Sequence, residues 1–194
     1  MNKALDLPGI RNITVSGRIG SGATTLATNL SKLTGWQILD GGKLMRKIQA
    51  EIGAGVEETL KRPDHFDLEY EEKIKRMLKD ESHHIIQSHL AGFDAQGIDG
   101  IFKILTVCED SHGNDKAEVR IDRLVNRDGA SLEKAKHEIL ERDKQNLEKW
   151  RKLYADGDQD WFYWNPKYYD LVVSTYDKSS EETFGTVKDK LNLT

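Results

Sequence analysis

Cysteine occurs once in the 194 residues, at Cys108, and proline only three times. One thiol rules out a disulfide within the chain and leaves no cysteine-based zinc site to build. Cys108 is expected to be a small apolar residue at the end of a buried strand. No stretch approaches the ~20 apolar residues of a membrane span, and the opening MNKALDLPGIRN lacks the apolar run of a secretory leader. A cytoplasmic location with no membrane partner is the expectation. An excess of one charge is missing too: 29 Lys and Arg stand against 33 Asp and Glu, a formal net charge of −4. Nothing there draws the whole chain to nucleic acid, so any basic site must be local. Aromatic-basic patches at nucleic-acid-binding spacings, internal repeats and low-complexity tracts are absent as well.

What the sequence does have is charge, at 32 %, beside 37 % hydrophobic residues. That mixture suits a helix-rich globule with one domain, and a monomer is expected. Residues 12–17, β-branched and ending in glycine, read as a buried strand. Leu26, Ala27, Leu30 and Leu33 recur at helical spacing, and Gly35 supplies a C-terminal cap. A short strand over 36–39 and a helix over 44–52 follow. Residues 54–82 carry Val56, Leu60, Phe66, Leu68, Tyr70, Ile74 and Leu78 among charges, which predicts two amphipathic helices broken near Pro63. Further strands are expected at 85–86, 101–107 and 171–174, with helices over 116–124, from Ser131 onward, and over 180–191. The helix after Ser131 shows one apolar stripe of Leu132, Ala135, Ile139, Leu147, Trp150 and Leu153. Strands alternating with helices imply an α/β fold with a mostly parallel sheet covered on both faces.

Chemistry concentrates in Gly17-Arg18-Ile19-Gly20-Ser21-Gly22-Ala23-Thr24-Thr25. This stretch fits G-x-x-x-x-G-K-[ST] except at Ala23, where the pattern has lysine. Glycines let backbone N–H groups turn inward around phosphate oxygens, and the following helix adds its positive end. Thr24 stands where the pattern's hydroxyl holds Mg²⁺. A nucleoside triphosphate, ATP with Mg²⁺, is the expected ligand.

The chain resembles the cytidylate kinase family, especially its archaeal-type branch, whose loop commonly reads Gly-Ser-Gly-Thr-Thr-Thr and also omits the lysine. Asp40-Gly41-Gly42-Lys43-Leu44-Met45-Arg46 is similar to the family segment whose arginine contacts the acceptor phosphate, here Arg46. Asp40 would order water around Mg²⁺. Leu90-Ala91-Gly92 matches the family's Glu-Gly-Arg-Leu-Ala-Gly, but Gln87-Ser88-His89 replace its first three residues. His89 would touch the acceptor nucleotide, or serve structure alone. Val119-Arg120 through Asp128-Gly129 resembles the start of the family's lid. Arg120, Arg123 and Arg127 share a helix face there and would clamp the triphosphate. Arg142-Asp143-x-x-Asn146-x-x-Lys149 looks like Arg-Asp/Glu-x-x-Asp/Glu-x-x-Arg; positions 142, 146 and 149 are expected opposite the apolar stripe, with Arg142 following the migrating charge. Tyr169-Asp170-Leu171-Val172-Val173-Ser174-Thr175 resembles the closing strand, leaving Asp170 either structural or base-reading. Trp161-Phe162-Tyr163-Trp164 has no family counterpart, and packing is expected of it.

The resemblance implies a P-loop three-layer sandwich of the nucleoside-monophosphate-kinase type, a single domain over 1–194. Its core would be 1–53, 83–110 and 167–194, with an acceptor-binding helical insert over 54–82 and a lid over 111–166. It implies phosphoryl transfer from Mg·ATP to a nucleoside monophosphate, CMP or dCMP. Arg142, Arg123, Arg127 and Asp40 would serve catalysis, Gly17 to Thr25 would hold the donor, and Arg46, His89 and Asp170 would hold the acceptor. A different acceptor, or a nucleotide-binding regulator with little transfer, stays open.

Overall fold

The computed structural model describes residues 4–45 and 62–193, without the side chains of Arg127 and Asp128. Within them, β1 (Asn12–Gly17) is buried along its whole length, because both of its faces are covered. It pairs in parallel with β3 (His84–Gln87) and β4 (Ile101–Val107). β2 (Gln37–Asp40) joins β3, and β5 (Leu171–Ser174) joins β4, giving one parallel sheet ordered β2-β3-β1-β4-β5.

Alternation along the strands divides the core into two layers. Ile13, Val15, Ile85 and Ile104 pack with α1 (Ala23–Thr34) and α7 (Ser180–Lys190) on one face. Ile86 and Ile101 pack on the other with α2 (Asp64–Asp80) and the short α3 (Ala91–Asp94). The remaining helices are α4 (Ala117–Asp128), α5 (Leu132–Lys136) and α6 (Asp143–Tyr154). Strands in parallel register bring Gly17 level with Thr106 and Asp40 level with Gln87, so the loops that follow meet at one carboxyl edge.

Several expectations shift. Residues 41–45 are helical, so the second helix begins earlier than expected, while its remainder and the first helix of 54–82 lie outside the described residues. α4 runs on to Asp128 and stops at Gly129, whose φ of 63° suits glycine. The single long helix after Ser131 is two helices joined by a π-helical stretch, His137–Arg142. That stretch changes the helical phase, so the expected stripe serves two clusters. Ala135 and Ile139 meet Ile121 and Leu124, whereas Leu147, Trp150 and Leu153 meet Leu90, Trp161 and Tyr163. Leu33, Leu68 and Leu132 stay exposed. Cys108 is buried just past β4, as expected.

Between α2 and α3, two carboxyl groups are buried side by side: Glu71 and Asp94. Burial, then the charge of Asp94 and a hydrogen bond to it, push Glu71 well above the usual carboxylate range. A proton kept on Glu71 gives it a donor to turn toward Asp94, and Lys75 lies 3.3 Å from Asp94. The folded state therefore holds a proton that the unfolded chain releases above the ordinary glutamate range. Stability from this pair is greatest at acid pH and falls as pH rises toward the folded-state value. Glu71→Gln keeps the donor and removes the titration. Melting followed by circular dichroism should show the parent losing roughly 1 kcal/mol per pH unit in that window, with a flatter profile for the variant.

Candidate phosphate-binding site

β1 delivers the glycine-rich loop directly to the carboxyl edge. A Cβ on Gly17 would stand 2.2 Å from Ser21 Oγ and 2.4 Å from Thr106 Oγ1, so only glycine lets the loop close here. Ser21 is buried inside the turn, its hydroxyl 2.8 Å from that of Thr106. Gly22 takes φ 94° as the residue before α1, leaving the helix's first N–H groups aimed out of the loop. An anion set there meets unsatisfied donors and a positive helix end. Ala23 turns into the core with Leu26 and Ala27 and adds no charge. Thr24 is exposed, and its hydroxyl donates to Gln87 Oε1 at 3.3 Å. Asp40 closes β2 beside Gln87 in the sheet register, and Oδ1 accepts from Lys43 N–H at 2.9 Å.

Cations surround this loop, and acids engage most of them. Arg18 donates from Nε to Asp143 at 2.8 Å, lies 3.2 Å from Asp115, and stacks 4.6 Å over Trp164. Burial works against its charge, but the two carboxylates outweigh it and hold the guanidinium above its ordinary value. Arg120, 1 % exposed, donates to both oxygens of Asp115, to Asp143 at 3.2 Å and to the Ile19 carbonyl. Arg142 reaches Glu138, while its Nε is buried without a hydrogen-bond partner. Arg123 differs, donating to neutral oxygens: the Gly20 carbonyl at 3.2 Å, Thr175 Oγ1 at 2.9 Å, and the Thr175 carbonyl.

The expected clamp is therefore corrected. Arg120 is a buried anchor of α4, and Arg127's side chain and all of Arg46 lie outside the described residues. Asn146 and Lys149 are buried instead of facing away from the apolar stripe, and Lys149 reaches Asp67 of α2 at 2.8 Å. Asp170 sits at the start of β5, hydrogen-bonded to Lys103 N–H and 2.9 Å from its Nζ. Lys103 is level with Thr14, three residues before Gly17. His89 lies against the loop: Nδ1 is 2.8 Å from the Gly17 carbonyl, so that nitrogen carries the proton. Burial lowers its pKa and favours the neutral ring, which packs between Trp150 and Tyr163. Trp161 and Tyr163 are core residues, as expected of that aromatic run.

On the far side of the loop a cleft of about 510 Å³ opens between α4 and the chain after β5, lined by Gly22, Arg123, Asn126, Thr175 and Lys178 among others. Thr175 was read only as the end of the closing strand and Lys178 was not singled out, although their place just after the last parallel strand is a signal for an edge residue. Asp115 escaped the sequence reading because only the folded chain brings it to Arg18; Glu138 had a signal, its i,i+4 spacing to Arg142.

A search against family models returned no match. A cytidylate kinase of Methanopyrus kandleri is 32 % identical over 189 residues, covering 91 % of this chain and 90 % of that one. That of Pyrococcus abyssi is 32 % identical over 179 residues, covering 91 % of each. The chain belongs to the cytidylate kinase family. Its fold agrees with that of other P-loop kinases at low identity. A gluconokinase from Sinorhizobium meliloti superposes with a TM-score of 0.57 at 15 % identity, covering 96 % of this chain and 93 % of that one. For a shikimate kinase from Acinetobacter baumannii the values are 0.55 and 14 %, over 94 % of each chain. Membership makes phosphoryl transfer by a P-loop kinase the chemistry to account for at this edge.

In this cytidylate kinase family member, Asp143 holds both Arg18 and Arg120 from a position 2 % exposed. Replacing it with alanine leaves two guanidinium groups short of their shared partner. Urea unfolding of Asp143→Ala should show a loss of about 3–5 kcal/mol, as expected when one member of a buried pair is removed.

Proposed function

We propose that the chain transfers the γ-phosphoryl group of Mg·ATP to CMP or dCMP, releasing ADP and the nucleoside diphosphate. The observation that carries this reading is the loop from Gly17 to Thr25, with its inward-closing glycines and the free N-terminus of α1. The donor's phosphates rest on those N–H groups, and its nucleoside enters the cleft beside Arg123 and Thr175. Thr24 Oγ1, Gln87 Oε1 and the Asp40 carboxylate are hard oxygen donors close to the helix end, a set that suits Mg²⁺. Phosphate and water oxygens would supply the remaining ligands. When bound, the ion neutralises charge on the β- and γ-phosphates.

The acceptor attacks with a phosphate oxygen already ionised near neutral pH, so no general base is needed. One P–O bond forms to that oxygen as the bond to the ADP leaving group breaks. The protein's task is to align the two nucleotides, exclude water and follow the moving charge. Arg142, with a buried Nε still unpaired, is the cation for the transferring group. His89 and Arg46 serve the acceptor.

Two observations favour a second reading, a nucleotide-binding regulator with little transfer. Ala23 replaces the lysine, and carboxylates already engage Arg18, Arg120 and Arg142. Gln87 and His89 in place of an acid and an arginine also leave room for another acceptor.

An ADP-release assay across CMP, dCMP, UMP and AMP separates these readings. Turnover is expected with the cytidine nucleotides; turnover with AMP or UMP alone reassigns the acceptor, and ATP binding without turnover supports the regulator. Arg142→Ala should lower kcat at least ~10²-fold, as loss of a transition-state donor does. Arg123→Ala should raise the Kd for ATP about tenfold, the effect of one lost charged hydrogen bond.

A further inference from the structure

α6 touches the phosphate loop with its first residue and α2 from its middle. At its first residue, Asp143 binds Arg18 of the loop. Six residues on, about 9 Å along the axis, Lys149 lies 2.8 Å from Asp67 and 3.6 Å from Asp64, and donates to the Arg62 carbonyl. Next to Lys149, Trp150 packs on His89, whose Nδ1 bonds the Gly17 carbonyl. The Lys149–Asp67 pair is buried, with Asp67 2 % and Lys149 6 % exposed, and Asp143 is buried beneath a partly exposed Arg18. Such contacts resist independent movement, because separation strands a charge away from water.

Neutralising Asp67 does not by itself require the lysine. Arg62 already binds both of its carboxylate oxygens, Nε to Oδ2 at 3.0 Å and NH2 to Oδ1. Lys149 is a second cation on a satisfied carboxylate, and its distinct effect is to join α6 to α2. The π-helical stretch His137–Arg142 lies immediately before α6, where regular helical hydrogen bonding gives way and a hinge is easiest to place.

We infer that α6 is a strut that carries the state of the phosphate loop to α2, with Asp143 and Lys149 as its two positioning residues. This rests on the loop being a phosphate site. An anion entering the loop competes with Asp143 for Arg18 and adds contacts of its own, so it shifts the seating of α6. Lys149 passes that shift to α2, on the side of the sheet where the acceptor is proposed to bind. Filling the donor loop thereby orders the acceptor side.

Hydrogen exchange of the full chain with and without tripolyphosphate tests the strut. Protection of residues 17–25 reports that the loop is filled. Amides of 64–80 should then slow at least ~5-fold in the parent, the lower range of energetic coupling between sites. In Lys149→Gln the loop should still be protected while the response of 64–80 falls below about twofold; Lys149→Arg should restore it. A merely structural lysine would speed exchange of 64–80 equally with and without the anion. Loop protection without any response of α2 in the parent, or an unchanged response in Lys149→Gln, overturns the strut and leaves the phosphate site standing. No protection of 17–25 overturns both.

Discussion

Asp143 accepts from Arg18 on the loop and from Arg120 on α4, and it does so from the first residue of α6. Three segments far apart in the chain are held by this one carboxylate. Its burial makes the arrangement stiff: an arginine deprived of its partner there would be an uncompensated charge in a poorly hydrated place. With Asp115 it determines where the guanidinium groups around the loop stand before any ligand arrives.

That constraint bears on the missing lysine. A P-loop lysine is a mobile point charge that reaches the β- and γ-phosphates. Here Ala23, the first residue of α1, packs into the core, and carboxylates already engage Arg18 and Arg120 beside the loop. The loop's own contribution is then mainly its oriented N–H groups. Under the proposed strut, a triphosphate would compete with Asp143 and Asp115 for Arg18, and anion binding and the position of α6 would be parts of one equilibrium. Among the described residues, Arg123 stands apart in donating to neutral oxygens and a thiol, beside the cleft between α4 and the chain after β5.

Much of the fold was legible because it rests on local pattern. A short β-branched run gave away β1 and a near-continuous apolar run β4, Gly35 marked the end of α1, and the glycine spacing marked the loop. The π-helical stretch was not legible, since an uninterrupted amphipathic pattern carries no sign of a shifted hydrogen-bond phase. Lys149 was misplaced for a related reason. Helical periodicity gives the face a residue occupies but not what stands opposite, and a lysine reads as solvated until Asp67 is found against it.

The amino-acid sequence alone determined the parallel α/β class, the phosphate loop and its unusual alanine, because these depend on backbone propensity and spacing within a few residues. Tertiary structure decided which charges are free. Pairings such as Arg18 with Asp143 and Lys103 with Asp170 span 125 and 67 residues. A charge's chemistry depends on its nearest opposite charge and on its burial, and neither is a local property of the chain.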